Sequence, residues 1–243
     1  MIRAACAAAL ALVAWAGSAQ AEDELTLYYH ERPPYSAKQP DGSVRGITAD
    51  IAAEALTVAG IPYRWENLPS ARQMEVIKRA EGDSCGLGWF KRPDREGFAK
   101  FTAAIYHDLP TIVVARADDA RFAGTPSIDA LFADTALTLL TKTGYSYGTE
   151  IDGKIVAQKP NARADASDNR IMLNMVGKAR VDYMIMAEEE AKDLLSQADF
   201  ADAGLAVYHL ANPPVGEYRY LMCSKSVPDA VIARINQAIK SPL

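Results

Sequence analysis

The sequence predicts an α/β protein built on largely parallel sheets. Short segments rich in β-branched and aromatic residues alternate along the chain with segments whose apolar residues recur at helical spacing. This alternation is typical of strands joined by crossover helices. The composition agrees, because 49% apolar and 23% charged residues describe an ordinary globular protein rather than a disordered or fibrous one.

The first 21 residues are expected to be removed. Arg3 is followed by an apolar and small-residue run from Ala4 to Gly17 and then by Ser18-Ala19-Gln20-Ala21, the pattern of a secretory signal peptide cleaved after Ala21. Cleavage leaves 222 residues, and the net charge changes from -5 to -6 because Arg3 is the only charged residue lost. We expect a mature periplasmic protein without stable membrane insertion, whose acidic balance argues against nucleic-acid binding.

Three strands and two helices are predicted in the first part of the mature chain. The strands are Leu25 to Tyr29, Tyr63 to Leu68, and Ser84 to Leu87, which leads into a loop containing Gly88. The helices are Thr48 to Ala59, which ends before Gly60, and a segment that begins with Ser70 as its cap.

A second set of alternating elements follows Pro110. The predicted strands are Thr111 to Ala115, Leu137 to Leu140, Tyr183 to Met186, Ala206 to Leu210 and Tyr218 to Met222. The predicted helices are Ile128 to Phe132, Asp168 to Val176, Ala187 to Gln197 and Asp229 to Ile239.

Two cysteines, Cys85 and Cys223, remain once Cys6 is removed with the signal peptide. An even pair in an oxidising compartment can form a disulfide. Two buried free thiols are the alternative, because the sequence does not give the separation of the two Cα atoms.

The segment from Gly144 to Gly148 resembles a catalytic motif. Gly144-Tyr145-Ser146-Tyr147-Gly148 matches the nucleophile elbow of serine hydrolases, with His209 as the only later histidine that could act as its base. The alternative is that these glycines turn the chain into a helix whose free amides can bind an anion. The histidines and cysteines show no metal-ligand spacing, and we expect no metal or cofactor.

Aromatic and charged residues follow the predicted strands of the first part of the chain, at positions suited to a ligand crevice. In open parallel sheets this crevice lies beyond the carboxyl ends of the strands. Aromatic side chains there can enclose a small ligand, and an arginine can hold its carboxylate by two parallel hydrogen bonds. The candidates are Tyr29, His30, Glu31, Arg32 and Tyr35 after the first strand, Arg72 after the second, and Trp89, Phe90 and Arg95 after the third, where Lys91 and Arg92 are more typical of a solvated face.

A family resemblance rests on the segment from Arg92 to Thr102. Its Arg92-Pro93-Asp94-Arg95, the later Phe101-Thr102 and Ile105-Tyr106 resemble the Thr-Pro-Glu-Arg, Phe-Ser and Pro-Tyr pattern of the family 3 bacterial extracellular solute-binding proteins. Further matching pieces occur in order along nearly the whole mature chain: Pro33-Pro34-Tyr35, Asp41-Gly42, Gly46, Asp50, Gly177 and Asp182.

The resemblance implies a type II periplasmic binding protein fold, in which two α/β lobes joined by two hinge crossings close on a solute. It places 22–107 and 219–243 in the first lobe and 108–218 in the second, with crossings near Tyr106 to Leu109 and Tyr218 to Leu221. Cys85 and Cys223 would then share a lobe. It also implies a monomer that delivers a small amino acid or related anion to the permease of an ABC importer.

The resemblance further assigns roles to residues. Arg95 matches the arginine that holds a ligand carboxylate, and Gly144, Tyr145 and Ser146 match a helix start that assists it. Tyr29, Glu31, Arg32 and Tyr35 match the first-lobe loop, and Gly88, Trp89 and Phe90 match the floor of the cleft. Ala187 stands where amino-acid-binding relatives keep an Asp for the ligand's ammonium, so Glu188 is the candidate substitute, and recognition of an α-amino group stays open.

Two other classes of function remain. The chain can be an enzyme, either a hydrolase using Ser146 or a cyclohexadienyl-type dehydratase on the same fold that takes an acid from the glutamates after Ala187. It can also be a periplasmic accessory or sensor protein that is not coupled to transport.

Overall fold

The computed structural model describes residues 24–124 and 126–240 of the chain. The predicted signal peptide, residues 1–21, lies outside them. Within the described ranges, no helix combines the length and the apolar character that crossing a bilayer requires.

Strands and helices alternate along the described chain. The strands are β1 (Leu25–Tyr29), β2 (Ala37–Lys38), β3 (Val44–Arg45), β4 (Tyr63–Asn67), β5 (Ser84–Phe90), β6 (Ala99–Phe101), β7 (Tyr106–His107), β8 (Thr111–Arg116), β9 (Leu139–Lys142), β10 (Ala162–Asp165), β11 (Tyr183–Ala187), β12 (Leu205–His209) and β13 (Tyr218–Ser224). The helices are α1 (Ile47–Val58), α2 (Ser70–Arg79), α3 (Pro93–Glu96), α4 (Ile128–Ala133), α5 (Thr149–Gln158), α6 (Asn169–Gly177), α7 (Glu188–Leu195) and α8 (Asp229–Ala238).

Two larger sheets define two lobes. The first-lobe sheet has the order β4-β1-β5-β13-β6, with β7 also paired to β13, and the second-lobe sheet has the order β10-β9-β11-β8-β12. Strands β4, β1 and β5 are parallel, as are β10, β9 and β11. Only β13 in the first sheet and β8 in the second run against their neighbours. The predicted two-lobe α/β fold with mostly parallel sheets is confirmed.

Each lobe has its own apolar core. In the first lobe, β1 and β13 bury Leu25, Leu27 and Leu221 against Leu56 of α1 and Ile235 of α8. In the second lobe, strand β8 is buried on both faces, because its alternating side chains reach two separate clusters. Helices α6 and α7 cover one face of this sheet, and α4 and α5 cover the other.

The chain crosses between the lobes twice, at 108–110 after β7 and at 210–217 before β13. The return therefore precedes Tyr218, because β13 already pairs with β7 from Tyr218 onward. The two crossings touch through their backbones: the amide of Asp108 donates to the carbonyl of Glu217 at 3.1 Å. A Cβ atom at Gly216 would collide with the Asp108 carbonyl oxygen, so this close approach requires glycine.

Several elements differ from the sequence predictions. Strand β5 continues through Phe90, so Gly88 lies in a strand rather than in a loop. Ser70 is the first residue of α2 and does not cap it, since Pro69 holds the cap position. Helix α5 lacks a strong apolar stripe, with Ile151 as its fully buried residue, and strand β10 is a largely exposed edge strand, so neither produced a clear periodic signal.

Cys85 of β5 and Cys223 of β13 lie directly opposite each other and are joined by a disulfide. Both residues are fully buried in the first-lobe core. The bridge ties the last strand of the chain to the centre of the first sheet.

Replacing both cysteines with alanine should lower the free energy of unfolding by about 2 to 5 kcal/mol, because the bridge constrains a chain segment of 138 residues in the unfolded state. Urea denaturation of the mature protein measures this loss. A reductant should destabilise the wild type and leave the double variant unchanged; equal sensitivity of the two proteins would contradict the prediction.

Candidate functional site

The carboxyl ends of parallel strands from both lobes meet in a cleft that contains two adjoining cavities of about 50 and 60 Å³. The smaller cavity is lined by Lys142, at the end of β9, and is called the Lys142 cavity. The larger is lined by Arg95 and is called the Arg95 cavity. Five residues line both: Arg32, Phe90, Tyr145, Ser146 and Arg219.

Arg95 lies in the short helix α3, and its residue surface is only 6% exposed. One terminal nitrogen of its guanidinium donates to the carbonyl oxygen of Phe90 at 2.9 Å, and the group lies 4.9 Å above the ring of Trp89. Its Nε is buried and has no hydrogen-bond partner among the described residues. Burial, followed by the charge of Arg92, lowers the pKa of this guanidinium. An uncompensated buried cation is costly, so the group favours an anion.

The platform beneath Arg95 is held in place. The indole nitrogen of Trp89 donates to Oε1 of Gln73 at 3.0 Å, and the amide of the Gln73 side chain donates to the carbonyl of Leu68. Gly86 leaves room for this ring, because a Cβ atom there would lie 2.5 Å from the indole nitrogen. The orientation of Trp89 is therefore set by buried polar contacts.

Arg219, which sequence reasoning missed, forms the floor shared by both cavities. Its guanidinium donates to both carboxylate oxygens of Asp108, at 2.5 and 2.6 Å, and to the carbonyl of Gly88 at 3.0 Å. It lies between the rings of Tyr35 and Phe90, 4.4 and 4.8 Å from their centres. A charged residue inside the otherwise apolar and aromatic strand β13 was the available signal.

Arg32 connects the two lobes. It donates to both carboxylate oxygens of Glu190 at 2.8 to 3.2 Å, and the two side chains are 15% and 4% exposed. Asn169 also donates to Glu190, at 2.6 Å. Burial alone would raise the pKa of Glu190, but the charge and hydrogen bonds of Arg32, with the bond from Asn169, outweigh it and lower that pKa. Glu190 is therefore held as a carboxylate.

The three glutamates that follow Ala187 point in three directions, because successive helical residues are rotated by about 100°. Glu190 enters the cleft, whereas Glu189 accepts from the Tyr106 hydroxyl at 2.6 Å and the Leu109 amide at 2.8 Å. Glu188, the residue predicted from sequence, binds Lys192 and His209 and does not line either cavity. The cleft glutamate is Glu190 rather than Glu188.

The Gly144–Gly148 segment lines the cleft with Tyr145 and Ser146 but uses its donors internally. The Ser146 hydroxyl donates to Asp152 at 2.5 Å and accepts from the Arg92 guanidinium at 3.0 Å. The amide of Thr149, at the start of α5, donates to the Glu217 carboxylate at 2.7 Å. The Ser146 hydroxyl and the amide at the start of α5 are therefore already bound by groups of the chain itself, at a helix start that the resemblance assigns to ligand binding.

The proposed Ser146–His209 pair of a hydrolase is not formed. His209 lies 3.3 Å from Glu188, and Ser146 makes its contacts with Asp152, Arg92 and Gly148. Ser146 thus connects the glycine loop to α5 and to the first lobe.

Besides Glu188, three predicted ligand residues lie away from both cavities. Tyr29 is buried in the first-lobe core, where its ring meets Trp65 at 5.7 Å. Glu31 is exposed and accepts from the Lys38 amide. Arg72 is on the exposed side of α2 and pairs with Glu75. The remaining predicted residues of the cleft line the Arg95 cavity, except Tyr35, which is buried beneath Arg219.

His30, one of the residues that follow the first strand, also lines the Arg95 cavity. Its Nε2 lies 2.6 Å from the Tyr145 hydroxyl across the lobes, and its Nδ1 lies 3.4 Å from the Ser70 hydroxyl. Burial, and then the positive charges of Arg32 and Lys142, lower its pKa from 6.5 to about 3. The imidazole is therefore neutral in the closed protein at neutral pH.

The pKa of His30 predicts a loss of stability in acid. The unfolded chain binds a proton at this residue near pH 6.5 and the folded chain near pH 3, so the free energy of unfolding falls as the pH drops through this window. His30→Gln should flatten the fall, as measured by urea denaturation at several pH values. His209→Gln, at an exposed histidine, is the control; parallel profiles for wild type and His30→Gln would contradict the assignment.

Because Glu190 pairs with Arg32 across the lobes, we expect closure of the lobes to depend on the Glu190 carboxylate. Glu190→Gln leaves the Arg32 charge uncompensated in the closed cleft, and breaking a buried pair in this way typically costs about 3 to 5 kcal/mol. Opening returns Arg32 to water, so small-angle scattering should show a larger radius of gyration. Glu188→Gln, two residues earlier on the same helix, should scatter as the wild type does; identical scattering by the two variants would refute the role of the pair.

Comparison with solved structures shows the same fold. An ancestral arginine-binding protein bound to arginine superposes with a TM-score of 0.70 at 12% identity, over 89% of this chain and 90% of that one. The substrate binding protein of an amino acid ABC transporter gives 0.66 at 15% identity, over 89% and 91%. A histidine kinase sensor domain with similarity to periplasmic binding proteins gives 0.69 at 14% identity, over 89% and 87%.

No curated protein matches the chain significantly. The profile of one family, the bacterial extracellular solute-binding proteins of family 3, matches residues 25–241, nearly all of the described chain. The protein therefore belongs to the family 3 bacterial extracellular solute-binding proteins.

Proposed function

We propose that this chain is a periplasmic solute-binding protein that holds a small carboxylate-bearing solute between its lobes and presents it to the permease of an ABC importer. The observation that carries the proposal is Arg95, a buried cation at the wall of a cavity with an unpartnered Nε. A guanidinium binds a carboxylate by two parallel hydrogen bonds, which would supply the missing acceptor.

The surroundings of Arg95 support a bound solute rather than a structural ion pair. Among the described residues its guanidinium donates one hydrogen bond, to a carbonyl oxygen, and forms no ion pair; Asp94 and Asp152 act on its charge only at longer range. Trp89 and Phe90 provide an apolar wall beside it, and Tyr145 from the second lobe lines the same cavity. A solute on Arg95 would therefore contact both lobes.

Closure follows from this arrangement as a shift of population. A solute that touches both lobes binds the closed form better than an open one, and it favours closure by that difference in affinity. Membership of the family and the likeness to the substrate binding protein of an amino acid ABC transporter support delivery to an importer.

A sensor role is the second candidate function, because a histidine kinase sensor domain has the same fold. Both roles use the same cleft. Genes for a permease and an ATPase beside this one favour transport, whereas a gene for a membrane-bound kinase favours sensing.

Arg95→Ala should weaken binding of the solute by about 2 to 5 kcal/mol, because it removes a charged partner from a desolvated cleft. A thermal-shift screen of carboxylic acids and amino acids identifies a solute, since binding to the folded state raises its apparent stability. Calorimetry then compares the wild type with Arg95→Ala and with Arg72→Ala, an exposed arginine of the same lobe as matched control. Wild-type affinity in Arg95→Ala would overturn the site.

A further inference from the structure

We infer that the cleft selects an organic anion that lacks an ammonium group, and that the Arg32–Glu190 pair makes this selection. The inference rests on the proposed function and narrows the class of solute that the same site takes. Three observations carry it: the engagement of the cleft carboxylates, the surplus of cations, and the apolar wall at the end of β11.

The carboxylates that line the cleft already have donors. Both oxygens of Glu190 accept from Arg32, and one of them also accepts from Asn169. Both oxygens of Asp108 accept from Arg219. An ammonium group would have to share either carboxylate with a bidentate guanidinium and lie beside its positive charge, or displace that guanidinium and leave it buried without a partner.

The third lining carboxylate, Glu217, is engaged at the hinge. One of its oxygens accepts from the amide of Thr149 at 2.7 Å, and its side chain packs against Gly148. This carboxylate therefore holds the start of α5 against the returning crossing.

The cleft has more cations than carboxylates. Arg32 and Arg219 are matched by Glu190 and Asp108, but Arg95 and Lys142 pair with no carboxylate among the described residues. Lys142 instead lies 3.4 Å from the Asn169 side-chain oxygen and 4.7 Å from the centre of the Tyr145 ring. A carboxylate brings the negative charge that this set lacks, whereas an ammonium adds to the surplus.

The wall of the cleft at the end of β11 has no carboxylate, amide or hydroxyl side chain that could accept a hydrogen bond from an ammonium. Met184, Ile185, Met186 and Ala187 line the Lys142 cavity there, but the side chains of the first three pack into the two cores of the second lobe. The methyl group of Ala187 favours the hydrocarbon part of a solute over an ammonium. The polar and apolar parts of the site thus agree on a carboxylate attached to an uncharged body.

Matched ligand pairs test the inference on the full mature protein. Each proteinogenic L-amino acid is paired with the acid that carries hydrogen in place of its α-ammonium, for example L-leucine with 4-methylpentanoate and L-phenylalanine with 3-phenylpropionate. Thermal shift ranks the pairs and calorimetry measures the best. We expect at least one deaminated acid to bind, more than tenfold tighter than its amino acid, and to lose its affinity in Arg95→Ala.

The outcomes separate the two levels of the proposal. Amino acids that bind as well as their deaminated partners, or better, would overturn the inference and leave the carboxylate site standing. Binding by neither series would overturn both the carboxylate site and the inference. Binding of a deaminated acid that Arg95→Ala leaves intact would overturn the site at Arg95.

A variant tests the role assigned to the pair. Arg32→Gln releases Glu190 to accept an ammonium, so the preference for the deaminated acid should narrow at least tenfold, while Arg72→Gln should keep the wild-type preference. An unchanged preference in folded Arg32→Gln would remove the pair as the source of selection. The ligand pairs on the wild type decide the solute class even where that variant does not fold.

Discussion

The ion pair between Asp108 and Arg219 is the contact on which the rest of the cleft depends. Asp108 leaves the first lobe in one crossing, and Arg219 returns in β13, so the pair joins the two segments that connect the lobes. Both side chains are at most 7% exposed, and each charge needs the other because both are largely removed from water. The tight backbone contact at Gly216 holds the same junction from the other side.

This junction is also the floor of the site, so the hinge and the solute cleft share atoms. Arg219 lies against Tyr35 and Phe90 and donates to the carbonyl of Gly88 in β5. Two residues later in the same strand, the carbonyl of Phe90 accepts from Arg95. A movement of one crossing relative to the other would therefore shift the strand end that positions Arg95. The crossings and the position of Arg95 are therefore linked through strand β5.

Features of the structure that depend on short stretches of sequence could be predicted from the sequence alone. The alternation of strands and helices is a local pattern and gave the fold, and a short motif led to Arg95. Which of the three glutamates faces the cleft depends on the residue at which α7 begins, and the sequence around Ala187 does not define that residue. The partners of Arg32 and Arg219 lie 158 and 111 positions away, so their burial and pairing follow only from tertiary packing. Tyr29 was misplaced because a strand end can turn an aromatic side chain into the core as readily as into a cleft.

Arg32 and Arg95 contribute to closure in different ways. Desolvation offsets much of the attraction in a buried ion pair, so the Arg32–Glu190 pair contributes more to the alignment of the lobes than to their stability. Arg95 forms no ion pair with a carboxylate among the described residues, and in the proposed function the closed form bears the cost of that buried charge until an anion binds. On this proposal the solute supplies the missing charge only when the lobes enclose it, which makes its affinity for the closed form larger than for an open one. The Arg32–Glu190 pair then sets how the lobes meet, and a solute bound at Arg95 is what brings them together.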